Sequence, residues 1–72
     1  MKTTIQRVKK IEFTDQEQQM LCSMGIIKTY QSDLLLEDDF YAQQIIDRLI
    51  DINPEKQEHK DFIMELIKEL KK

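Results

Sequence analysis

The side chains best suited to chemistry near neutral pH are a single histidine, His59, and a single cysteine, Cys22. Catalysis by histidine needs a nucleophile and an orienting group within hydrogen-bond reach, and on a helix Asp61 lies on a different side from His59. A reactive thiol needs a nearby Lys or Arg, and none is close to Cys22 in sequence. We therefore expect a rim histidine, a structural thiol, no catalytic residue and no enzymatic activity.

Metal binding is also disfavoured by the residue types available. One cysteine and one histidine cannot complete a four-ligand zinc site. The acids Glu37, Asp38 and Asp39 lack the spacing, the glycine and the final glutamate of a calcium-binding EF-hand loop. The sequence thus predicts no metal site and no cofactor. The three acids are interpreted either as the solvated start of a helix or as a charged contact surface for a basic partner.

The first ten residues form a basic segment that contains four cationic side chains and no acid. Residues 11–61 hold twelve acids and four bases, and the whole chain has a net charge of −3. An acidic body repels phosphate backbones, and four charges would bind them only weakly and in a salt-dependent way. The sequence therefore does not favour nucleic acid as a partner. The cationic residues of this basic arm are Lys2, Arg7, Lys9 and Lys10.

A nucleic-acid-binding regulator stays open as the alternative function, because Gly25 could lie in the turn of a helix-turn-helix motif. The stretch from Phe13 to Leu21 resembles the opening helix of several bacterial regulators. The following segment, 26–35, would have to supply the recognition helix but contains one basic residue, Lys28. A helix in the major groove needs donors for bases and phosphates. This alternative, which would use the basic arm and the region around Gly25, therefore ranks second.

The first helix is predicted from a capping sequence and an apolar stripe. Thr14 can accept a hydrogen bond from the first turn while Glu17 reaches back to complete a capping box. Apolar residues then recur near helical spacing, and we expect the helix to cover about 15–31. Gly25 lies inside this range, where it either marks a close contact or ends the helix.

Two further helices are predicted from the apolar pattern of the second half. A helix over about 34–52 has a wide apolar face that includes Phe40, so we expect it to touch neighbours on more than one side. Pro54 disfavours helical geometry at the preceding residue and suits the start of a last helix over about 54–71. The last helix carries a regular apolar stripe of Phe62, Ile63, Leu66, Ile67 and Leu70.

These elements predict an all-α fold, with one small three-helix domain at 14–72 and the basic arm at 1–13. Polar and apolar residues alternate in the arm only over Ile11-Glu12-Phe13. An isolated strand needs a partner strand that the rest of the sequence does not suggest. We therefore expect an extended arm, or a short strand that pairs with a second copy of the chain.

Length and composition limit the remaining possibilities. A chain of 72 residues forms at most one domain and has a marginal core, so good packing or self-association must stabilise it. A lone cysteine is typical of a reducing compartment. The basic start lacks the apolar stretch of a signal peptide, and no apolar run approaches the length of a membrane span. We expect a cytoplasmic protein that does not contact a membrane.

The function predicted from these observations is that of a small regulatory or adaptor protein. The chain contains no catalytic constellation. It also contains more amphipathic helix than so short a chain can bury, which predicts contact with another protein, and a homodimer in particular. We expect the partner-binding residues to come from the first helix and the start of the second: Met20, Met24, Ile27, Tyr30, Glu37, Asp38, Asp39 and Tyr41.

Overall fold

A three-stranded antiparallel sheet accompanies three helices, so the prediction of an all-α helical bundle is wrong. The computed structural model describes all 72 residues. They divide into a first unit, residues 1–37, and a second unit, residues 38–72. The elements in chain order are β1 (Lys2–Ile5), β2 (Lys9–Glu12), α1 (Asp15–Ser23), β3 (Asp33–Leu36), α2 (Asp39–Asp51) and α3 (Gln57–Leu70).

The basic arm is the first part of this sheet. A three-residue loop joins β1 to β2, and this pair is a hairpin in which Thr3 lies opposite Ile11. The third strand pairs with β2 and places Leu34 opposite Ile11 on the other side. The partner strand contains the run Leu34-Leu35-Leu36, for which the sequence predicts a helix. The segment 1–13 is therefore neither a free arm nor a solitary strand.

The first helix begins as predicted and ends eight residues early. The Thr14 hydroxyl accepts a hydrogen bond from the Glu17 N–H at 3.2 Å, and the Glu17 carboxylate accepts one from the Thr14 N–H at 2.8 Å, which confirms the capping box. Gly25 then takes a left-handed conformation, with φ of 75°. Its N–H and that of Ile26 donate to the carbonyls of Cys22 and Leu21 at 3.1 and 3.0 Å. This pattern closes a helix rather than continuing it.

The second predicted helix is split between a strand and a shorter helix. Asp38 adopts an extended conformation, and its Oδ1 accepts a hydrogen bond from the Tyr41 N–H at 2.8 Å, which caps α2. The chain leaves helical geometry again at Ile52, two residues before Pro54. The predicted end of this helix, near residue 52, therefore agrees with the structure, whereas its predicted start at 34 does not.

The second unit is a helical hairpin in which α2 and α3 pack against each other. The last helix begins at Gln57 instead of Pro54, and Lys56 at its start makes no side-chain capping bond. Its predicted stripe is confirmed in the main, because four of its five members are buried and Ile67 is half-buried. The buried side chains of this unit are Ala42, Ile46, Leu49, Phe62, Ile63, Leu66 and Leu70.

The first unit has a smaller set of buried side chains. Ile11 and Leu36 lie on one face of the sheet, as the strand register and the alternation of side chains require. Leu21 of α1 is also buried. The one buried polar residue, Gln18, donates a hydrogen bond from Nε2 to the Phe13 carbonyl at 3.3 Å. Each unit therefore has buried apolar residues of its own.

Candidate protein-binding site

The residues that could carry chemistry are dispersed. His59 is half-buried on α3, and its Nε2 lies 4.0 Å from the Glu58 carboxylate. Cys22 is a free, half-buried thiol on α1. No group of three or more His, Cys, Asp or Glu side chains lies together in a way that could hold a metal ion. None of the helices has both the length and the apolar character that crossing a bilayer requires.

The basic arm does not form a uniform positive patch, because the sheet interleaves its lysines with acids. Lys2 lies opposite Glu12, and Glu12 lies opposite Asp33. Lys10 is on the same sheet face by alternation, and its Nζ lies 3.4 Å from Glu12 Oε1 and 3.8 Å from Asp33 Oδ2. This face therefore carries two cations and two anions. The remaining basic residues differ in position, since Lys9 is on the opposite face and Arg7 is exposed in the hairpin loop.

The partner-binding residues proposed for the first helix do not share a helical face. Met20 belongs to α1, and Met24 is the C-cap residue of this helix. Ile27 and Tyr30 follow in the irregular segment after Gly25. The two methionines and Ile27 are half-buried, and Tyr30 is 66% exposed. The predicted amphipathic stripe over this region is therefore absent as a helical surface.

The acidic residues at 37–39 are all exposed and lead into α2. Asp38 has a structural use as the cap of this helix. Tyr41 is 42% exposed, and its neighbour Phe40 is exposed even more, at 73%. Phe40 is the most exposed of the large apolar side chains in the chain.

Phe40 lies at one end of an exposed strip of α2 that we name the outward face. The buried residues of this helix, Ala42, Ile46 and Leu49, define its inner side. Residues 40, 44, 47 and 51 recur at helical spacing on the opposite side, and all four are exposed. The outward face consists of Phe40, Gln44, Asp47 and Asp51, with Gln43 and Ile50 along one border and Tyr41 and Arg48 along the other.

The prediction that Phe40 belongs to a wide apolar core face is wrong, because this side chain is exposed. The available signal was angular position. Ala42, Ile46 and Leu49 have the spacing of one helical stripe, and Phe40, two residues before Ala42, falls on the other side of the helix. Ile50, one residue after Leu49, is also directed away from the inner side and is 65% exposed.

The outward face is acidic as well as apolar. Asp47 and Asp51 lie within it, and the Asp47 carboxylate accepts a hydrogen bond from Gln43 Nε2 at 2.9 Å. Arg48 is the only basic residue of α2. The two units also differ in net charge. The first carries five acidic and five basic side chains, and the second carries nine acidic and six basic ones. All of the net negative charge therefore belongs to the unit that contains the outward face.

One carboxylate of the first unit has a shifted titration. Burial alone would raise the pKa of Glu17, but hydrogen bonds from the Met1 ammonium group and from the Thr14 N–H lower the pKa below its ordinary value of 4.5. The ammonium nitrogen lies 2.9 Å from Glu17 Oε2. Because the same carboxylate completes the capping box, its ionised form stabilises the start of α1.

Comparison of the chain with protein-family models, with curated proteins and with solved structures gave no match.

Proposed function

We propose that this chain is a small, non-enzymatic regulatory or adaptor protein that acts by binding another protein through the outward face of α2. The observation that carries the proposal is the 73% exposure of Phe40 on a helix whose other side is already filled by core residues. Exposed aromatic residues are the side chains most often found at the centre of protein contacts.

The composition of the outward face defines the chemistry of its partner. In a complex, apolar side chains of the partner would complement Phe40 and Ile50, and cations of the partner would complement Asp47 and Asp51. A Lys or Arg side chain can satisfy both requirements, because its aliphatic part packs on an aromatic ring while its charge faces a carboxylate. The expected partner element therefore presents basic and apolar residues side by side.

The nucleic-acid alternative has less support from the same surfaces. The lysines of the sheet are interleaved with Glu12 and Asp33, which would repel phosphates. The segment after Gly25 forms no helix that could enter a major groove, since the next regular element is β3. A protein partner remains the better explanation of the exposed apolar residues.

A pair of matched variants tests this proposal. Phe40→Ala removes the ring from the outward face, whereas Met64→Ala removes a side chain of similar exposure, 69%, from α3. Tagged wild-type protein and both variants are used to capture proteins from cells, and each captured protein is then purified and titrated by calorimetry. We expect a directly binding protein whose affinity falls with Phe40→Ala and with rising salt but is retained with Met64→Ala. Equal binding by both variants, or no direct binder, would contradict the proposal.

A further inference from the structure

The tip of the β1–β2 hairpin has the composition that the outward face requires. It consists of Ile5, the loop residues Gln6, Arg7 and Val8, and Lys9. We propose that a second copy of this chain is an occupant of the outward face, and that its hairpin tip is the part that binds. This inference rests on the proposed function, because it names a partner for the same surface.

The apolar residues of the two surfaces are both uncovered within one chain. Ile5 is 59% exposed and Val8 37% exposed at the hairpin tip, while Phe40 and Ile50 are 73% and 65% exposed on α2. Ile5 and Val8 are aliphatic and Phe40 is a flat ring, a combination that packs well. Contact between a tip and part of an outward face would remove apolar side chains of both surfaces from water.

The charges of the two surfaces are opposite. Arg7 provides a cation at the tip, and residues 1–10 contain no acid. Arg7 takes part in none of the ion pairs within the chain. Asp47 and Asp51 provide the anions of the outward face. A guanidinium group can pair with a carboxylate and also stack on an aromatic ring, so Arg7 suits the edge between Phe40 and the aspartates.

Every copy carries one tip and one outward face, so a second copy offers both halves of the contact. A closed twofold dimer would form the contact twice and leave neither surface uncovered. Each half of the contact would involve a tip of only five residues, and small interfaces belong to weak, reversible complexes. Self-association would therefore shield the outward face at high concentration and release it to a different basic partner at low concentration.

Charge reversal in both surfaces tests the dimer. The tip variant Gln6→Glu/Arg7→Glu changes two exposed loop residues, and the face variant Asp47→Lys/Asp51→Lys changes two exposed residues of α2. The control variant Glu58→Lys/Glu65→Lys makes the same charge change as the face variant, but at exposed positions of α3. Circular dichroism checks that each variant keeps its helix content.

Sedimentation velocity from about 1 µM to 1 mM covers the affinities expected of a weak dimer. We expect the wild type and the control variant to form dimers, and the tip and face variants to dissociate at least about tenfold more readily, because like charges then oppose each other. An equimolar mixture of the tip and face variants should regain dimers, since each tip then meets a face of opposite charge.

Three results would overturn the inference: a wild type that is monomeric throughout, a face variant that dimerises like the control, or a mixture that does not regain dimers. A monomeric wild type that still binds a basic protein in a Phe40-dependent way would refute the second copy as partner while leaving the proposed function intact. If no other protein binds in a Phe40-dependent way but dimers are lost in the tip and face variants and regained in their mixture, the second copy is the partner and binding to a different protein is refuted.

Discussion

Replacing Phe40 by alanine should separate stability from binding. Full burial of a phenylalanine side chain is worth about 1.5–3 kcal/mol. Phe40 is 73% exposed, so the quarter that is buried contributes roughly 0.4–0.8 kcal/mol to folding. Alanine regains up to about 0.7 kcal/mol through its higher helix propensity. The two effects oppose each other, and we expect the free energy of unfolding to change by no more than about 0.5 kcal/mol.

The larger part of the ring has its effect in the complex. Covering the exposed fraction of Phe40 is worth roughly 1–2 kcal/mol, which corresponds to about a 5- to 30-fold loss of affinity per contact when the ring is removed. In a symmetric dimer that contains the contact twice, this factor is squared. Urea denaturation measures the first quantity, and sedimentation velocity or calorimetry measures the second.

Leu66→Ala provides the matched comparison, because this side chain is 1% exposed. Its truncation should cost about 2–5 kcal/mol, a large share of the roughly 4–11 kcal/mol that a chain of this length has available. A loss of more than about 1 kcal/mol on unfolding of Phe40→Ala would refute the placement of the ring in solvent. Unchanged binding would refute the outward face as the contact surface.

Three further substitutions or conditions test the first unit and the start of α2. Gly25→Ala should lower the free energy of unfolding by about 1–2 kcal/mol, because φ of 75° is unfavourable for any L side chain. The loss is not steric, since a Cβ at this position would meet nothing within 4 Å. An unchanged midpoint in urea denaturation would contradict this prediction. Asp38→Ala should lower stability by about 1 kcal/mol through loss of the α2 cap, whereas Asp39→Ala, one residue later, should not. The pKa of Glu17 is lowered in the folded state, so its contribution to stability is present above pH 4.5 and is lost as pH falls below that value. Glu17→Gln should therefore flatten the acid side of the stability–pH curve, and parallel curves for the two proteins would exclude this role.

Local signals in the sequence were sufficient for several boundaries. The capping box at Thr14 and Glu17 depends on residues three apart, and both hydrogen bonds formed. Pro54 acts on its immediate neighbour, and α2 ends close to it. The stripe of α3 has the period of a helix over more than two turns, and most of it is buried. Each of these features is decided within a few residues.

The sheet could not be predicted in the same way, because its pairing is decided by residues distant in sequence. Three consecutive leucines at 34–36 show neither helical nor strand periodicity. Their strand identity depends on the edge of β2, which lies more than 20 residues earlier. The basic hairpin lacks the glycine or asparagine that usually marks a tight turn. Without these strands, the region 15–36 was interpreted as more helical than it is.

The candidate site stays a prediction. The structure shows that Glu37, Asp39 and Tyr41 near the start of α2 are exposed, and it does not test their role in binding a partner. Phe40 is predicted as a core residue from its apolar side chain, but its angular position around the axis of α2 places it on the exposed side. The methionines lost their shared face because Gly25 ends α1, which is an effect of backbone conformation at one residue.

The enclosure of α1 between two paired strands has a consequence for the order of folding. Glu12 pairs with Asp33, so the sheet closes only after a connection of 20 residues has been ordered, at an entropic cost of roughly 2.7 kcal/mol if that connection were flexible. The nine-residue α1, capped at both ends, shortens the flexible part of the connection before β3 arrives. The β1–β2 hairpin and the α2–α3 hairpin both close through short loops. We therefore expect the non-local docking of β3 onto β2 to be the slow step of folding, and substitutions in β3 to retard folding more than those in α3.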